Sequence, residues 1–260
     1  GARYEGNKFL VRLSGTDLAS GRTVIARLRE AIARQLAPVG AGDVAFRVSA
    51  SGPMTDPDQM TATVELNALS PTYNNIALDS ARLNGTFTAG VIRLDDFAAI
   101  ASDQWVTAQG YAVVGQDSLG NWALVDNAPT QGALRMANFD LSTLAPFLPT
   151  GVSAEGIAEL DVSWEGPAGL PSVAGEMSLD SGRIAWVSES PDGTESEESI
   201  TGITIHGTIV DSTLRLERAD AEVAGRRLAL HGTLTLDGQK EVRHDLTLLM
   251  DSKRVMTTEA

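Results

Sequence analysis

The 260-residue sequence contains no cysteine, three histidines and only three lysines. Without cysteine there are no disulfides, no thiol catalysis and no Cys-ligated zinc. The same absence suits the cytoplasm and the Gram-negative envelope equally. Aromatic residues make up 5% of the chain against 43% apolar, so the apolar content is mostly Leu, Val, Ile and Ala. Basic residues are outnumbered 20 to 34, and the formal net charge is −14. That balance excludes nucleic acid as a partner, because a phosphate backbone needs a basic footprint. It also argues against broad docking on anionic lipid headgroups. No apolar run is long enough for a membrane-spanning helix, and there is no signal peptide. The chain begins in what reads as mid-strand and ends without a turn or cap, which suggests a piece of something longer.

The usual catalytic signatures are missing too. There is no G-x-S-x-G, no H-E-x-x-H and no Gly-rich phosphate loop with Lys. His206, His231 and His244 have no neighbouring histidine and read as exposed residues at polar positions or strand ends. His244 and Asp245 are adjacent in a strand and so point to opposite faces. Asp192, Glu195, Glu197 and Glu198 lack the alternating ligand spacing and turn glycine of a calcium loop and read as a solvated segment. Asp95-Asp96 and Glu217-Arg218 read as solvated turn residues. The sequence therefore points to no enzyme, no catalytic residue, no metal site and no cofactor.

What is present is alternation. In GIAELDVSWEG, Ala158, Leu160, Val162 and Trp164 share one parity, and Glu159, Asp161, Ser163 and Glu165 share the other. Period two is the mark of a strand with one apolar and one solvated face. It recurs at Phe46 and Val48, Val64 and Leu66, Met177 and Leu179, Ile203 and Ile205, Leu228 to Leu236, and Val242 to Leu248. Turn chemistry separates the runs at Ser51-Gly52-Pro53, Asp180-Ser181-Gly182, Asp192-Gly193 and Asp237-Gly238. The fold class expected is all-β and antiparallel.

Two segments break the pattern with helical spacing. From Ser20 to Leu36, residues Val24, Ile25, Leu28, Ile32 and Leu36 fall on one face, and Pro38 ends the run. The narrow apolar face suits packing over the edge or mouth of a sheet better than lying on a membrane. A shorter helical turn is expected in DLSTLAPFLPTG, from Asp140 to Gly151.

The chain also repeats itself. LRLERADAEVAGRRLALHG, from Leu214, follows IRLDDFAAIASDQWVTAQG, from Ile92, at a spacing of 122 residues. Matching helix–LAP–strand–Gly-Pro openings precede these segments, and their Gly-Pro pairs stand 114 residues apart, leaving roughly eight extra residues in the second copy near PDGTESEES. Such a period implies an array growing in one direction. The organisation expected is the end of a preceding repeat plus the amphipathic helix over residues 1–41, a first repeat over 42–154 and a second over 155–260.

Strands with one apolar face must bury it against something. A second sheet would give a dry core. A curled array would instead line a trough suited to straight acyl chains, since few aromatics are present. Both remain open for Trp164 and Trp186.

The run from Ala133 to Trp186 resembles the repeat of the TamB family of envelope proteins, related to the AsmA-like group. Asn138-Phe139-Asp140-Leu141, Leu144 to Pro149, Gly156 and Gly166 to Pro171 carry the likeness, and the strand–Gly–strand ending through Leu236 extends it. The resemblance covers about Asp43 to Leu236. It implies a repetitive curved β-groove (a β-taco) with an apolar concave face and two short connecting helices. It implies a protein of the periplasm, anchored in the inner membrane by a segment outside this stretch. The groove would conduct phospholipid towards the outer membrane and support assembly of outer-membrane proteins and autotransporters. The implied partners are phospholipid acyl chains, an outer-membrane β-barrel protein and neighbouring repeats of the same chain. Candidate groove-lining residues are Phe46, Val48, Val64, Leu66, Leu160, Val162, Trp164, Met177, Leu179, Trp186, Ile203, Ile205, Leu228, Leu230, Leu234 and Leu236. The competing expectation is a structural or adhesive β-array with a dry apolar core.

Overall fold

A computed structural model describes residues 2–5, 8–11, 42–52, 59–73, 76–116, 122–189, 195–236, 242–251 and 253–259. The expected helix from Ser20 to Leu36 lies outside the described residues. The chain is all-β and antiparallel, in two compact units.

The first unit spans residues 1–103 and 107–124. Its strands are β1 (Ala2–Glu5), β2 (Lys8–Val11), β3 (Asp43–Ser51), β4 (Thr61–Leu69), β5 (Thr72–Tyr73), β6 (Ile76–Ala77), β7 (Ser80–Thr88), β8 (Val91–Ala101), β9 (Gln104–Gln116) and β10 (Trp122–Leu124). They pair in the order β2-β1-β3-β4-β7-β8-β9, with β10 on β9 and a separate β5–β6 ribbon.

The second unit holds Gln104–Val106 and residues 125–260. Its strands are β11 (Pro129–Asp140), β12 (Val152–Pro167), β13 (Ser172–Glu189), β14 (Glu195–Val210), β15 (Thr213–Val223), β16 (Arg226–Leu236), β17 (Val242–Met250) and β18 (Lys253–Glu259). They pair strictly in sequence, each hydrogen-bonded to the next. A meander of this kind follows from short connections, since each strand finds the chain neighbour first.

The segment expected as a helical turn is a 3₁₀ helix, Leu141–Phe147. The side chain of Asp140 accepts from the Ser142 amide at 2.9 Å, and Thr143 Oγ1 donates to the Asp140 carbonyl at 2.7 Å. The Asp140 amide in turn donates to Gln104 Oε1 at 3.2 Å. Pro146 within the segment lacks an amide, so an α-helix has no ladder to propagate.

The repeat is written into the elements. β8 and β15 correspond residue for residue at the 122 spacing, Val91 with Thr213 and Ala101 with Val223. Each carries a bulge at the same place. Asn84 faces Asp96 while Gly85 faces Leu94, leaving Asp95 as the extra residue. His206 faces Arg218 while Gly207 faces Leu216, leaving Glu217 as the extra residue. The preceding turns match as well, with positive φ at Ala89 and Gly90 and again at Asp211 and Ser212. Asp95-Asp96 and Glu217-Arg218 are therefore bulge residues within strands, which corrects their reading as turns. An inserted residue kinks a strand without ending it.

Asp180-Ser181-Gly182, expected as a turn, is likewise a bulge. Ile157 faces Asp180 and Glu155 faces Arg183, so β13 runs on to Glu189. In the first copy the chain leaves the sheet at the matching place, after Leu69, and returns at Ser80. The extra residues of the second copy thus lengthen β13 and β14 instead of forming only a loop at the acidic segment.

Candidate functional site

Opposed residues of an antiparallel pair lie on the same side of the sheet, so register sorts side chains into rows. In the first unit one row reads Phe46, Leu66, Leu83, Phe97, and the next reads Val48, Val64, Gly85, Leu94. Between them, pointing the other way, stand Arg47, Glu65, Asn84 and Asp96. The second unit repeats the scheme. Met136, Leu160, Met177, Gly207 and Leu216 form one row, and Leu134, Val162, Gly175, Ile209, Leu214 and Leu234 another. Ala158, Leu179 and Ile205 make a third. Arg135, Asp161, Glu176, Thr208 and Arg215 point away from all of these.

Each candidate from the sequence has a place in this scheme. Phe46, Val48, Val64 and Leu66 fall in the rows of the first unit. Leu160, Val162, Trp164, Met177, Leu179 and Ile205 fall in those of the second. Trp186 stands opposite Val152 and Glu198, and Ile203 opposite Gly182. Leu228, Leu230 and Leu234 stand opposite Met250, Leu248 and His244. Leu236 pairs with Val242 through its backbone, and its side chain lies outside the described residues.

These side chains are half-buried, apart from Ile203 at 8% exposure. Among the described residues no large side chain is fully enclosed, and the buried apolar residues are Ala68, Ala98, Ala158, Ala185 and Ile203. A sheet layered against a second sheet would enclose its Leu and Val residues; here they keep partial contact with solvent.

Glycines in the rows are covered by large neighbours. Trp164 lies over Gly132, while Leu214 and Met177 lie over Gly207.

Sequence reasoning missed Leu83, Phe87, Ile92 and Leu94, which line an apolar hollow of about 760 Å³ with Val64 and Val114. The bulge at Asp95 obscured Ile92 and Leu94 by breaking the period-two pattern of β8, whereas Leu83 and Phe87 alternate regularly along β7 and that spacing was the signal that could have found them. The second unit has a hollow of about 610 Å³ of opposite character. Its side chains come mainly from the charged rows, Arg135, Glu159, Asp161, His206 and Glu217 among them, together with Trp105.

The charged rows are tied by cross-strand ion pairs, Arg47–Glu65 and Arg135–Asp161 at 3.1 Å and Arg82–Asp96 at 2.6 Å. Arg183 joins Glu155 and Glu197 across both neighbouring strands. Asp220 receives Arg218 Nε at 2.7 Å and Arg227 Nη2 at 3.3 Å. The Arg218 hydrogen bond, opposed by partial burial and reinforced by Arg227, holds the Asp220 carboxyl below the ordinary carboxylate range. His206 Nε2 lies 3.5 Å from Asp180.

His244 departs from its reading as an exposed polar residue. It is half-buried in the Leu214–Leu234 row, because β17 continues that row's parity. The acidic segment is divided by the strand it lies on. Glu197 meets Arg183 on the charged side, whereas Glu198 stands opposite Trp186 and accepts from Ser188 Oγ at 3.0 Å. Among the described residues there is no cluster of metal-ligating side chains, and no helix is long and apolar enough to cross a membrane.

Comparison with family models, with curated proteins and with solved structures found no match.

Proposed function

We propose that the chain is part of a periplasmic β-groove whose apolar concave face conducts phospholipid between the inner and outer membranes. One observation carries the reading: consecutive rows of Leu, Val, Ile and Met that remain half-exposed, with no second layer over them among the described residues. Exposing an acyl chain to water costs about 0.8 kcal/mol per CH₂. Two chains of about sixteen carbons therefore face roughly 25 kcal/mol. A continuous apolar track removes that barrier by contact alone and asks for no catalytic group, cofactor or metal. The low aromatic content suits straight chains better than flat ligands. The likeness to the TamB repeat adds the wider role, support of outer-membrane protein and autotransporter assembly with a β-barrel partner.

The test is native mass spectrometry of the protein purified from cells, followed by lipid extraction. Stoichiometric phospholipid, lost when Leu160, Val162 and Leu179 are changed to Asp in a protein that still shows a β-sheet circular dichroism spectrum, supports the conduit. A stable protein that never carries lipid sinks it in favour of a structural array.

A further inference from the structure

Arg226 opens β16 directly after the Ala224-Gly225 turn and stands opposite Val223. Val223 stands opposite Ile200, and Ile200 opposite Ile184. Register therefore puts this guanidinium at the end of an aliphatic row, on the side of the sheet that also bears Leu228 and Met250.

Its setting differs from that of six other arginines. Arg47, Arg82, Arg135, Arg183, Arg218 and Arg227 each meet a carboxylate on the charged rows. Arg226 has no carboxylate partner among the described residues, and its Nη1 donates instead to Met250 Sδ at 3.4 Å. A thioether is a weak acceptor, so most of the five guanidinium donors stay unused. The side chain is exposed. In the other copy of the repeat the same position holds Gln104, whose Oε1 accepts the Asp140 amide and so serves the fold.

We infer that Arg226 holds the oxyanion head of an amphiphile whose aliphatic tail lies along Val223, Leu228 and Met250. The argument is charge complementarity. A planar fork of donors pairs in bidentate fashion with a phosphate or carboxylate, and the row beside it offers aliphatic surface and a thioether, while the nearby Asp251 carboxylate is engaged by the Arg227 amide at 3.3 Å. The occupant is a lipid-type molecule rather than a free anion, because a single exposed guanidinium on a chain of net charge −14 would retain a bare anion poorly. The inference rests on the lipid-groove reading and adds to it an orientation, with heads at the margin formed by the β15–β16 turn.

The test is equilibrium dialysis of the whole chain with dodecyl phosphate, and separately with uncharged dodecyl maltoside, both below their micelle concentrations. The expected result is that Arg226→Gln weakens dodecyl phosphate about tenfold or more, as loss of a charge-assisted hydrogen bond does. Dodecyl maltoside should change by less than about twofold, and Arg226→Lys should keep part of the affinity. If both amphiphiles bind and Arg226→Gln leaves dodecyl phosphate unchanged, the inference falls and the groove reading stands. If neither binds the unsubstituted chain, both fall. Inorganic phosphate that displaces dodecyl phosphate at equal concentration would mark a plain anion site and also overturn it.

Discussion

Trp164 on β12 lies over Gly132 on β11, so closely that a Cβ at residue 132 would overlap the six-membered ring of the indole. The strand neighbour thus supplies the side chain that glycine lacks, and the large residue fills the space of two. The same economy appears where Leu214 and Met177 close over Gly207. Glycine in a strand is costly on its own account, so its presence here reports a neighbour that needs the room.

That relationship predicts a change of sign. Gly132→Val should destabilise the protein by about 2 kcal/mol, because the indole must leave its rotamer to admit the branched side chain. In a Trp164→Ala background the same substitution should be neutral or stabilising, since a β-branched residue then meets open space on a strand. Urea denaturation of the two single variants and the double variant measures both. Equal destabilisation in the two backgrounds would mean that Trp164 is not what excludes a side chain from residue 132.

The paired bulges separate the effect of a side chain from that of a backbone residue. Asp95→Ala should cost less than about 0.5 kcal/mol, as expected of an exposed substitution. Deleting Asp95 should leave the β7–β8 hairpin folded, because Gly85–Leu94 and Asn84–Asp96 become successive rungs of a regular ladder and Ile92 and Leu94 keep their side. Deleting Glu217 should do the same for Gly207–Leu216 and His206–Arg218. Circular dichroism with limited proteolysis would read the outcome. A deletion variant that loses its β-sheet spectrum would refute the bulged register of its strand pair.

Asp220 gives the pH dependence. Its folded carboxyl titrates below the unfolded value, chiefly because Arg218 donates to its charged form. Its contribution is therefore fully present above the unfolded value of 3.8 and is lost as pH falls through the lower folded one. Asp220→Asn should lower stability at neutral pH by about 1 kcal/mol or less, since both arginine partners are solvent-exposed. The difference from the parent should shrink as the solution is acidified below that window, and it should also shrink in high salt. A deficit that grows on acidification would contradict the Arg218–Asp220 pairing as its source.

The apolar hollow of the first unit should take up a small hydrophobic probe. N-phenyl-1-naphthylamine fluorescence should rise on addition of the protein. Ala62→Phe, which fills the hollow beside Phe87, should weaken binding by about tenfold, because the lost contact area is that of a few methylenes. Unaltered probe binding in a folded Ala62→Phe variant would place the probe elsewhere.

Much of the fold was legible in the sequence because the pattern that encodes a strand is local. Phe46 and Val48, or Leu160 and Val162, announce their shared side by spacing alone. The bulge residues were legible only as an irregularity. Asp95 and Glu217 read as turns because polar pairs in mid-pattern usually are, and the signal that could have identified them was the glycine ten residues upstream of each, Gly85 and Gly207. Asp180-Ser181-Gly182 misled for the same reason. Turn chemistry reports a left-handed backbone, and a bulge uses that backbone without reversing the chain.

By itself, the sequence determined that this protein is built of antiparallel strands in two copies of one plan. Alternation at period two and a spacing of 122 residues are properties of the chain alone. Only the tertiary structure decided which residues share a row. Leu83 joins Leu66, Leu94 joins Val64, His244 joins Leu234, and Glu198 and Arg226 stand on the aliphatic side, because register is fixed by hydrogen bonds between strands. One inserted residue shifts the parity of every position beyond it, and only the bulge that absorbs it keeps Leu94 and Phe97 on one face.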